Sequence, residues 1–406
     1  MQKKILFPLL ILSLVVCCIE TDMSAPSFPD ISRYFNISEG MVQYTIAVNF
    51  LGFCIASLLY GALSDSYGRR PIMVIGNGLM LAGALGCVWS PSIEMLLLAR
   101  FVQGIGASTS AVVVFAMLAD CYQGTEALKK IGIMNSALTI FMSVAPIAGS
   151  FLNQAIGWRG NYAVVAVLSL LSWLLLAFFL PETREERSSF SMKQLARDYK
   201  HVFSSSVFVY ASNVPSLLCA AYMAFIACAA FLYTKTFGLS LNGYALHQGI
   251  IVGSFSIMSI FAGGFMERFG KKKSVLIGMG FFSCGMLCVT FLGLMASHSA
   301  ILVTIGMMLM TIGDAIVYAI IFTLSLEIFP NHKGVASSAI MSVRALLIFA
   351  FVGLMGSVYN EELMSYVWVC LLIFIPTCFC VFKLFQAGFL NEEHIPQPIL
   401  EEAKAS

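Results

Sequence analysis

The sequence is poor in charge: Asp, Glu, Lys and Arg make up only 11% of its 406 residues, whereas hydrophobic residues make up 59%. A soluble globular domain has about 25% charged and about 45–50% apolar residues. The longest polar stretch, Glu182 to His201, has only the length of a linker. This composition excludes an ordinary soluble enzyme and indicates a chain that lies mostly within a membrane.

Motifs for catalysis and metal binding are also absent. No glycine-rich phosphate loop occurs, which argues against ATP-driven pumping by this chain. The 12 cysteines show neither disulfide-framework nor zinc-site spacing. No Ser–His–Asp arrangement emerges, because the five histidines fall near span ends, loops or the tail: His201, His247, His298, His332 and His394. The sequence predicts no enzyme, no metal site and no nucleic-acid partner.

Long apolar runs dominate what remains. A helix needs about 20 mostly apolar residues to cross the hydrocarbon core of a bilayer. Twelve runs meet this need, and they predict an all-α membrane protein with spans near 5–28, 42–62, 72–90, 92–118, 131–155, 161–181, 206–235, 246–266, 274–296, 299–325, 335–357 and 363–388. The first run also resembles a signal peptide, but no small-residue cleavage site follows it, so we expect an uncleaved first helix.

The basic residues are distributed asymmetrically between the two sets of loops. With the N-terminus inside, only Arg33, Arg159 and Lys235 fall in outside loops, and Arg100 and Arg344 lie within spans. The remaining Lys and Arg residues fall in inside segments. Because cytoplasmic loops carry an excess of Lys and Arg, both termini are predicted to be cytoplasmic.

An internal repeat divides the chain. The loop Gly61–Arg70 and the loop Gly263–Lys272 match in glycine, acidic and paired basic positions at a constant offset of 202 residues. The repeat predicts two six-helix bundles, 1–181 and 206–390, joined by a cytoplasmic linker, 182–205, and followed by a cytoplasmic tail, 391–406. The segment Lys193–Lys200 of the linker forms either a short surface helix or a plain solvated connection.

Several of these segments resemble a known family. The Gly61–Arg70 loop resembles the cytoplasmic loop motif of the major facilitator superfamily, and Arg100–Gly104 is similar to its Arg-x-x-Gln-Gly helix motif. Ala145–Gly149 resembles the antiporter motif, with Ser150 in place of the usual second glycine. Thr21–Pro29 resembles the end of the first helix in the bicyclomycin/chloramphenicol-resistance (Bcr/CflA) subgroup of drug/proton antiporters.

This resemblance implies a secondary active transporter of the bacterial inner membrane. Its implied activity is proton-coupled export of a drug or small organic metabolite by alternating access, driven by the proton gradient without a cofactor. Its implied partners are a small-molecule substrate, protons and the lipid bilayer, and it is expected to be a monomer. Two alternatives stay open: a dedicated metabolite or siderophore carrier working in either direction, and a transporter-like substrate sensor.

Charged residues inside spans are costly to insert and are therefore functional candidates. Asp22 and Arg100 lie at depths that are compatible with contact, and Asp22 either couples protons or forms a static ion pair that locks the helices. Glu20 either shares this role or faces the outer water. The resemblance implies that Asp22 and Arg100 act in proton coupling and substrate binding.

Asp314 and Arg344 belong to no family motif. They either pair with each other across adjacent helices or line the cavity, where they would favour a charged or zwitterionic substrate. Aromatic and amide residues are further cavity candidates, with plain packing as the alternative for each: Tyr44, Asn49, Asn135, Asn213, Tyr222 and Phe225.

Two further groups of residues are assigned by the motifs. The loop motifs imply a cytoplasmic gate made of Gly61, Asp65, Gly68, Arg69, Arg70 and Glu267. Small and kinking residues predict close helix packing at Gln103, Gly104, Gly106, Pro146 and Gly149. Of these, Pro146 and Gly149 are expected at the seam between the two halves.

Overall fold

Apolar segments in lipid must satisfy their own backbone hydrogen bonds, and the α-helix does so within one segment. The computed structural model describes residues 2–122, 124–184, 189–329 and 333–391. Within these ranges the chain is helical almost throughout and contains no β-strand. Most of the predicted tail, 391–406, and part of the predicted linker lie outside the described residues.

The N-terminal half contains six membrane spans. Its helices are α1 (Gln2–Ser24), α2 (Phe28–Phe35), α3 (Glu39–Tyr67), α4 (Arg69–Val88), α5 (Ile93–Cys121), α6 (Gly124–Ile156) and α7 (Trp158–Phe179). A single 3₁₀ turn, Ala25–Ser27, joins α1 to α2, and the two form one apolar span. Pro26 and Pro29 lie at the starts of the 3₁₀ turn and of α2, where a missing backbone N–H is tolerated.

The C-terminal half follows a short amphipathic helix, α8 (Met192–Ser204), in the predicted linker. Its helices are α9 (Ser206–Phe231), α10 (Leu241–Leu294), α11 (Ala300–Glu327), α12 (Lys333–Val358) and α13 (Leu363–Gln386). A π-helical turn, Leu232–Thr236, extends α9. The 54-residue α10 is interrupted at Gly270 and therefore provides two spans. Counted this way, the described helices confirm the predicted twelve spans.

The loop repeat is visible in the backbone. Gly68 between α3 and α4 has φ 105° and ψ 149°, and Gly270 within α10 has φ 77° and ψ 162°. Only glycine adopts this region readily, because it has no Cβ. The two halves thus make the same sharp turn 202 residues apart.

Two seams join the halves. Along the first, α3 packs against α12, where Ser342 Oγ donates a hydrogen bond to the Cys54 carbonyl at 3.0 Å. Along the second, α6 packs against the part of α10 that precedes Gly270, where the hydroxyls of Ser143 and Ser256 are 3.0 Å apart. We call the end of the bundle that carries the first residue of α1 and the last of α13 the basic end, and the other the distal end.

Gly149 does not lie at either seam. A Cβ at Gly149 would lie 2.2 Å from the Met23 carbonyl oxygen, so this glycine permits close contact between α6 and α1 inside the N-terminal half. The prediction that it packs between the halves is wrong. Ser150 and Gln154, on a neighbouring face of α6, make the contact with the other half instead, through Asn242 on α10.

Candidate functional site

Arg100 on α5 is the centre of a buried polar cluster in the N-terminal half. Its Nη1 donates to Glu20 Oε2 at 3.4 Å and to Gln103 Oε1 at 2.8 Å, and its Nε donates to the Thr45 carbonyl at 3.3 Å. Asn49 Nδ2 donates to Glu20 Oε1 at 3.0 Å and to the Arg100 carbonyl at 3.2 Å. The side chains of Arg100 and Glu20 are 1% and 3% exposed, so the pair is shielded from water. We call Glu20, Asn49, Arg100 and Gln103 the Arg100 cluster.

Glycines bring the helices of the Arg100 cluster together. A Cβ at Gly104 would lie 1.9 Å from the Asn49 carbonyl oxygen, and one at Gly52 would lie 2.3 Å from the Phe101 carbonyl oxygen. Neither distance is compatible with a side chain, so α3 and α5 approach each other backbone to backbone. On the other side of α5, Gly106 lies against α4 in the same way, with the Met80 nitrogen 2.1 Å from its would-be Cβ.

Asp22 forms no ion pair with Arg100 among the described residues, so the static ion pair, one of the two alternatives for Asp22, is not observed. Residues two apart on a helix project about 200° away from each other, so Glu20 and Asp22 cannot face the same neighbour. Glu20 turns toward Arg100, which also excludes the expected alternative that Glu20 faces outer water. Asp22 is 2% exposed, and neither of its carboxylate oxygens has a hydrogen-bond partner among the described residues.

The side of α1 that carries Asp22 is directed toward the C-terminal half. Asp22 lies close enough to Tyr222 on α9, Tyr244 on α10 and Cys219 on α9 to interact with them electrostatically. Cys219 is also within electrostatic range of Asp314. An acidic residue of the N-terminal half therefore lies within electrostatic range of α9 and α10 of the C-terminal half.

Asp314 and Arg344 are neighbours that do not form an ion pair within 4.0 Å in the described part of the chain. Arg344 Nη2 instead donates to the Tyr318 hydroxyl at 3.1 Å, and its guanidinium lies 4.9 Å from the Tyr318 ring centroid and 5.7 Å from that of Phe322. The two rings are stacked at 5.3 Å. Direct pairing, one of the two expected alternatives, is not observed.

A small cavity lies beside Asp314. Its lining combines apolar residues of α9, α10 and α11 with polar groups that include Tyr222, Thr311 and Asp314. Asp314 is 6% exposed, and its Oδ1 has no hydrogen-bond partner among the described residues. Tyr222 accepts a hydrogen bond from Gln248 Nε2 at 3.1 Å. The cavity therefore adjoins both Asp314 and the surface that Asp22 faces.

The remaining cavity candidates have different roles. Phe225 is fully buried and packs edge-on against Tyr366 at 5.3 Å, which agrees with plain packing, the alternative given for it. Asn213 donates to the Val209 carbonyl of its own helix at 2.8 Å, and Asn135 is exposed. Tyr44 hydrogen-bonds Ser357 across the two halves at 2.8 Å.

Charged residues close the distal end across the two halves. Lys235, at the end of α9, contacts the carboxylate of Glu39 on α3 and lies 3.4 Å from that of Glu361 in the loop before α13. We call these three residues the distal clasp. Beside it, a Cβ at Gly40 would lie 1.9 Å from the Gly356 carbonyl oxygen, so α3 and α12 also touch through their backbones.

The predicted gate loop forms an ion network at the basic end. Arg69 donates to Asp65 at 2.7 Å, to Asp120 at 3.0 Å and to Ser64 Oγ at 2.6 Å. Its backbone nitrogen donates to Glu182 at 2.9 Å. All of these partners belong to the N-terminal half or to the residues just after α7, so the network ties the ends of α3, α4, α5 and α7 together.

Other members of the predicted gate lie around this network. Arg70 donates to the Ala177 carbonyl at 2.9 Å, and Gly61 faces Ser338 on α12, 3.0 Å from its would-be Cβ. Glu267, the equivalent of Asp65 in the second repeat, is exposed and belongs to none of the ion pairs of the described residues. The two repeated loops therefore share their backbone conformation, but among the described residues they do not share their ion pairs.

Sequence reasoning missed the distal clasp and two members of the gate network. Glu39 and Glu361 follow or precede spans far apart in sequence, and periodicity gives no indication that one lysine joins them. Asp120 and Glu182 could have been found from a weak signal in the sequence. Each is an acid at the basic end of a span, close in depth to the arginines of the loop motif.

Twelve spans in two repeated halves, with a buried acidic residue facing the contact between the halves, are the architecture of a secondary membrane transporter. A sequence model of the Major Facilitator Superfamily matches residues 10–353. The chain belongs to this superfamily. It is a multi-pass membrane protein that transports a small molecule and is not an enzyme.

Curated relatives are bacterial transporters. The chain is 26% identical over 369 residues to the chloramphenicol resistance protein CraA of Acinetobacter baumannii, which covers 89% of this chain and 87% of that protein. It is 27% identical over 350 residues to the multidrug transporter MdfA of Edwardsiella ictaluri, covering 86% and 85%. The fold matches the crystal structure of a D-xylose–proton symporter with a TM-score of 0.78 at 17% identity, covering 98% and 99%.

Proposed function

We propose that this chain exports a drug or drug-like metabolite from the bacterial cytoplasm in exchange for protons. Asp22 is the observation that carries the proposal. It is a carboxyl group that is 2% exposed and has no hydrogen-bond partner in the part of the chain that the structure describes, and it faces the contact between two halves that must separate during alternating access. Movement of the halves would transfer Asp22 between this shielded environment and water, and so allow it to take up and release a proton.

The Arg100 cluster has a different role in this proposal. Glu20 is already neutralised by Arg100 and bonded by Asn49, so it has less reason to exchange a proton during the cycle. We assign the cluster to holding α1, α3 and α5 in register, which keeps Asp22 directed at the C-terminal half. Proton coupling is thereby placed on one acid of the first span.

Export is supported by the relatives. Two relatives of this chain are named for chloramphenicol resistance and multidrug transport, and both match more than four-fifths of it. We place the basic end and both termini in the cytoplasm, because cytoplasmic loops of membrane proteins are rich in Lys and Arg. The distal clasp then closes the periplasmic side of an inner-membrane protein, which we expect to act as a monomer.

Flux into proteoliposomes under an imposed pH gradient tests the proposal, with chloramphenicol as the first substrate. Asp22→Asn preserves the size of the side chain but cannot ionise, so we expect it to abolish gradient-driven flux while substrate binding persists. Glu94→Gln, at an exposed position at the start of α5, is the matched control and should transport like wild type. Wild-type flux by Asp22→Asn would transfer the coupling role to Glu20 or Asp314.

A dedicated metabolite carrier is the second candidate, and a specific observation favours it. Asp314 and Arg344 place two charges of opposite sign in the C-terminal half without pairing them directly. A pump for uncharged hydrophobic drugs has no need of such groups, because each is costly to place within a membrane span. Flux assays with a panel of metal chelators would detect a siderophore substrate.

A further inference from the structure

The C-terminal half contains a pair of opposite charges that the protein itself does not bring into contact. Asp314 lies on α11 and Arg344 on α12, near the middle of their spans. Tyr318 follows Asp314 by one helical turn, about 6 Å along α11, and holds the guanidinium of Arg344 through a hydrogen bond of 3.1 Å. The cation is thus anchored one turn from the acid.

Both charged groups retain unused hydrogen-bonding capacity. Asp314 Oδ1 and Arg344 Nε are buried atoms with no hydrogen-bond partner among the described residues. Asp314 is 6% exposed and borders the small cavity that Tyr222 and Thr311 also line. Buried polar groups are normally satisfied, and an unsatisfied charged group lowers stability more than a neutral one does. A bound molecule that supplies both missing partners would remove this penalty.

We propose that Asp314 and Arg344 form a subsite for a small zwitterion with an aromatic body. Its ammonium group would bind the carboxylate of Asp314, and its carboxylate would bind the free edge of the Arg344 guanidinium. A planar guanidinium recognises carboxylates with good geometry. The rings of Tyr318 and Phe322 already lie beside the Arg344 guanidinium and hold it in place. The cavity holds about 10 Å³ in this closed state, room for no more than a water molecule. The body of the ligand would therefore be received along its apolar and aromatic lining only when the two halves separate.

The arrangement selects for two charges rather than one. A purely cationic ligand would satisfy Asp314 and leave Arg344 with its unbonded Nε, and a purely anionic ligand would do the reverse. Only a molecule that carries both groups satisfies both residues at once. Discrimination of this kind arises because a missing partner leaves a buried polar group of the site unsatisfied.

This inference rests on the proposed transport function but is tested by binding alone. We would use the full-length protein in lipid nanodiscs and four ligands with one phenyl body. Phenylalanine carries both charges, 2-phenylethylamine only the cation, 3-phenylpropanoate only the anion, and 3-phenylpropan-1-ol neither. Isothermal titration calorimetry at pH 7 gives the four affinities without any proton gradient.

Wild type should bind phenylalanine about tenfold or more tighter than either singly charged ligand, since hydrogen bonds to charged groups are among the stronger ones. Asp314→Asn should weaken phenylalanine and 2-phenylethylamine but leave 3-phenylpropanoate unchanged. Arg344→Gln should weaken phenylalanine and 3-phenylpropanoate but leave 2-phenylethylamine unchanged. Thr323→Val, at an exposed position on α11, is the matched control and should preserve all four affinities.

Equal affinities for the four ligands, or no binding of any of them while chloramphenicol still binds, would overturn the subsite. So would an Asp314→Asn variant that weakens all four ligands equally, because that result indicates a structural role. The two proposals fail separately. Charge-selective binding without gradient-driven flux would overturn proton-coupled export alone, and gradient-driven chloramphenicol flux without charge selectivity would overturn the subsite alone.

Discussion

Removing the Arg100 side chain should destabilise the protein more than Glu20→Gln or Arg33→Ala does. Arg100→Ala eliminates the bonds from the guanidinium to Glu20, Gln103 and the Thr45 carbonyl, at 3.4, 2.8 and 3.3 Å. Glu20 then remains 3% exposed, with Asn49 as its one hydrogen-bond donor among the described residues. The variant therefore buries a charge that no cation balances.

The magnitude follows from that uncompensated charge. Breaking a buried ion pair by removing one partner reduces the free energy of unfolding by about 3–5 kcal/mol. Glu20→Gln should reduce it less, because a glutamine oxygen still accepts from Asn49 and Arg100 while Arg100 keeps Gln103. Adding Glu20→Gln to Arg100→Ala should recover part of the loss, since a neutral amide needs no cation.

Unfolding in mixed micelles, followed by tryptophan fluorescence during titration with sodium dodecyl sulfate, measures these differences. Arg33→Ala is the matched control, because Arg33 is 78% exposed and its one ion pair among the described residues is with Asp30 on its own helix. Such exposed pairs contribute about 0–1 kcal/mol. If the double variant Arg100→Ala/Glu20→Gln is no more stable than Arg100→Ala alone, the charge argument is refuted and Arg100 acts through packing.

Four further changes test other parts of the structure. Lys235→Met should open the distal end, and faster labelling of cavity cysteines by external thiol reagents would show it; unchanged rates would mean that the helix backbones alone hold this end shut. Gly104→Ala should strongly lower the midpoint temperature of thermal unfolding. Gly280→Ala should not, because the space around a Cβ at Gly280 is open. Equal effects of the two changes would contradict the close backbone approach at Gly104. Asp65→Asn should free the gate loop and increase inward-facing populations several-fold, measured by cytoplasmic accessibility, and unchanged accessibility would leave Asp65 only a topological role. A cysteine introduced by Phe190→Cys should resist impermeant reagents in intact cells, and ready labelling would invert the proposed orientation.

The spans and the internal repeat could be predicted from sequence because they depend on signals that are local or periodic. Run length and hydropathy locate a membrane helix, and the paired glycine and basic residues locate the turns. The left-handed backbone at Gly68 and Gly270 agrees with that prediction, since no other residue type adopts such a turn without strain. The short helix in the linker, α8, also agrees with one of the two alternatives for that segment.

The partner of Arg100 could not be predicted, because sequence gives the depth of a residue but not the rotation of its helix. Glu20 and Asp22 differ by only about 3 Å in depth yet project to opposite sides of α1. The rotation of α1 depends on tertiary contacts, including the one that Gly149 permits against Met23. The same limitation applied to Gly149, which packs within its own half.

Asp314 and Arg344 illustrate a different limit. Two opposite charges at similar depth on adjacent helices predict an ion pair on electrostatic grounds alone. The structure instead gives Arg344 a hydroxyl and two aromatic rings, contacts that depend on Tyr318 and Phe322 lying on successive turns of one face. Phe225 shows the same effect for packing, since burial against Tyr366 is decided by the neighbouring helix.

The burial of α9 has a consequence for how this protein can evolve. In its most apolar window 89% of the residues are buried inside the protein, whereas the corresponding figure for α6 is 17%. The apolar residues of α9 therefore pack mainly against other helices of the same chain rather than against lipid. Alanines such as Ala220, Ala224 and Ala227 are fully buried and leave no room for larger side chains. Sequence change should therefore be slow along α9 and rapid on the exposed face of α6, where any apolar residue suffices.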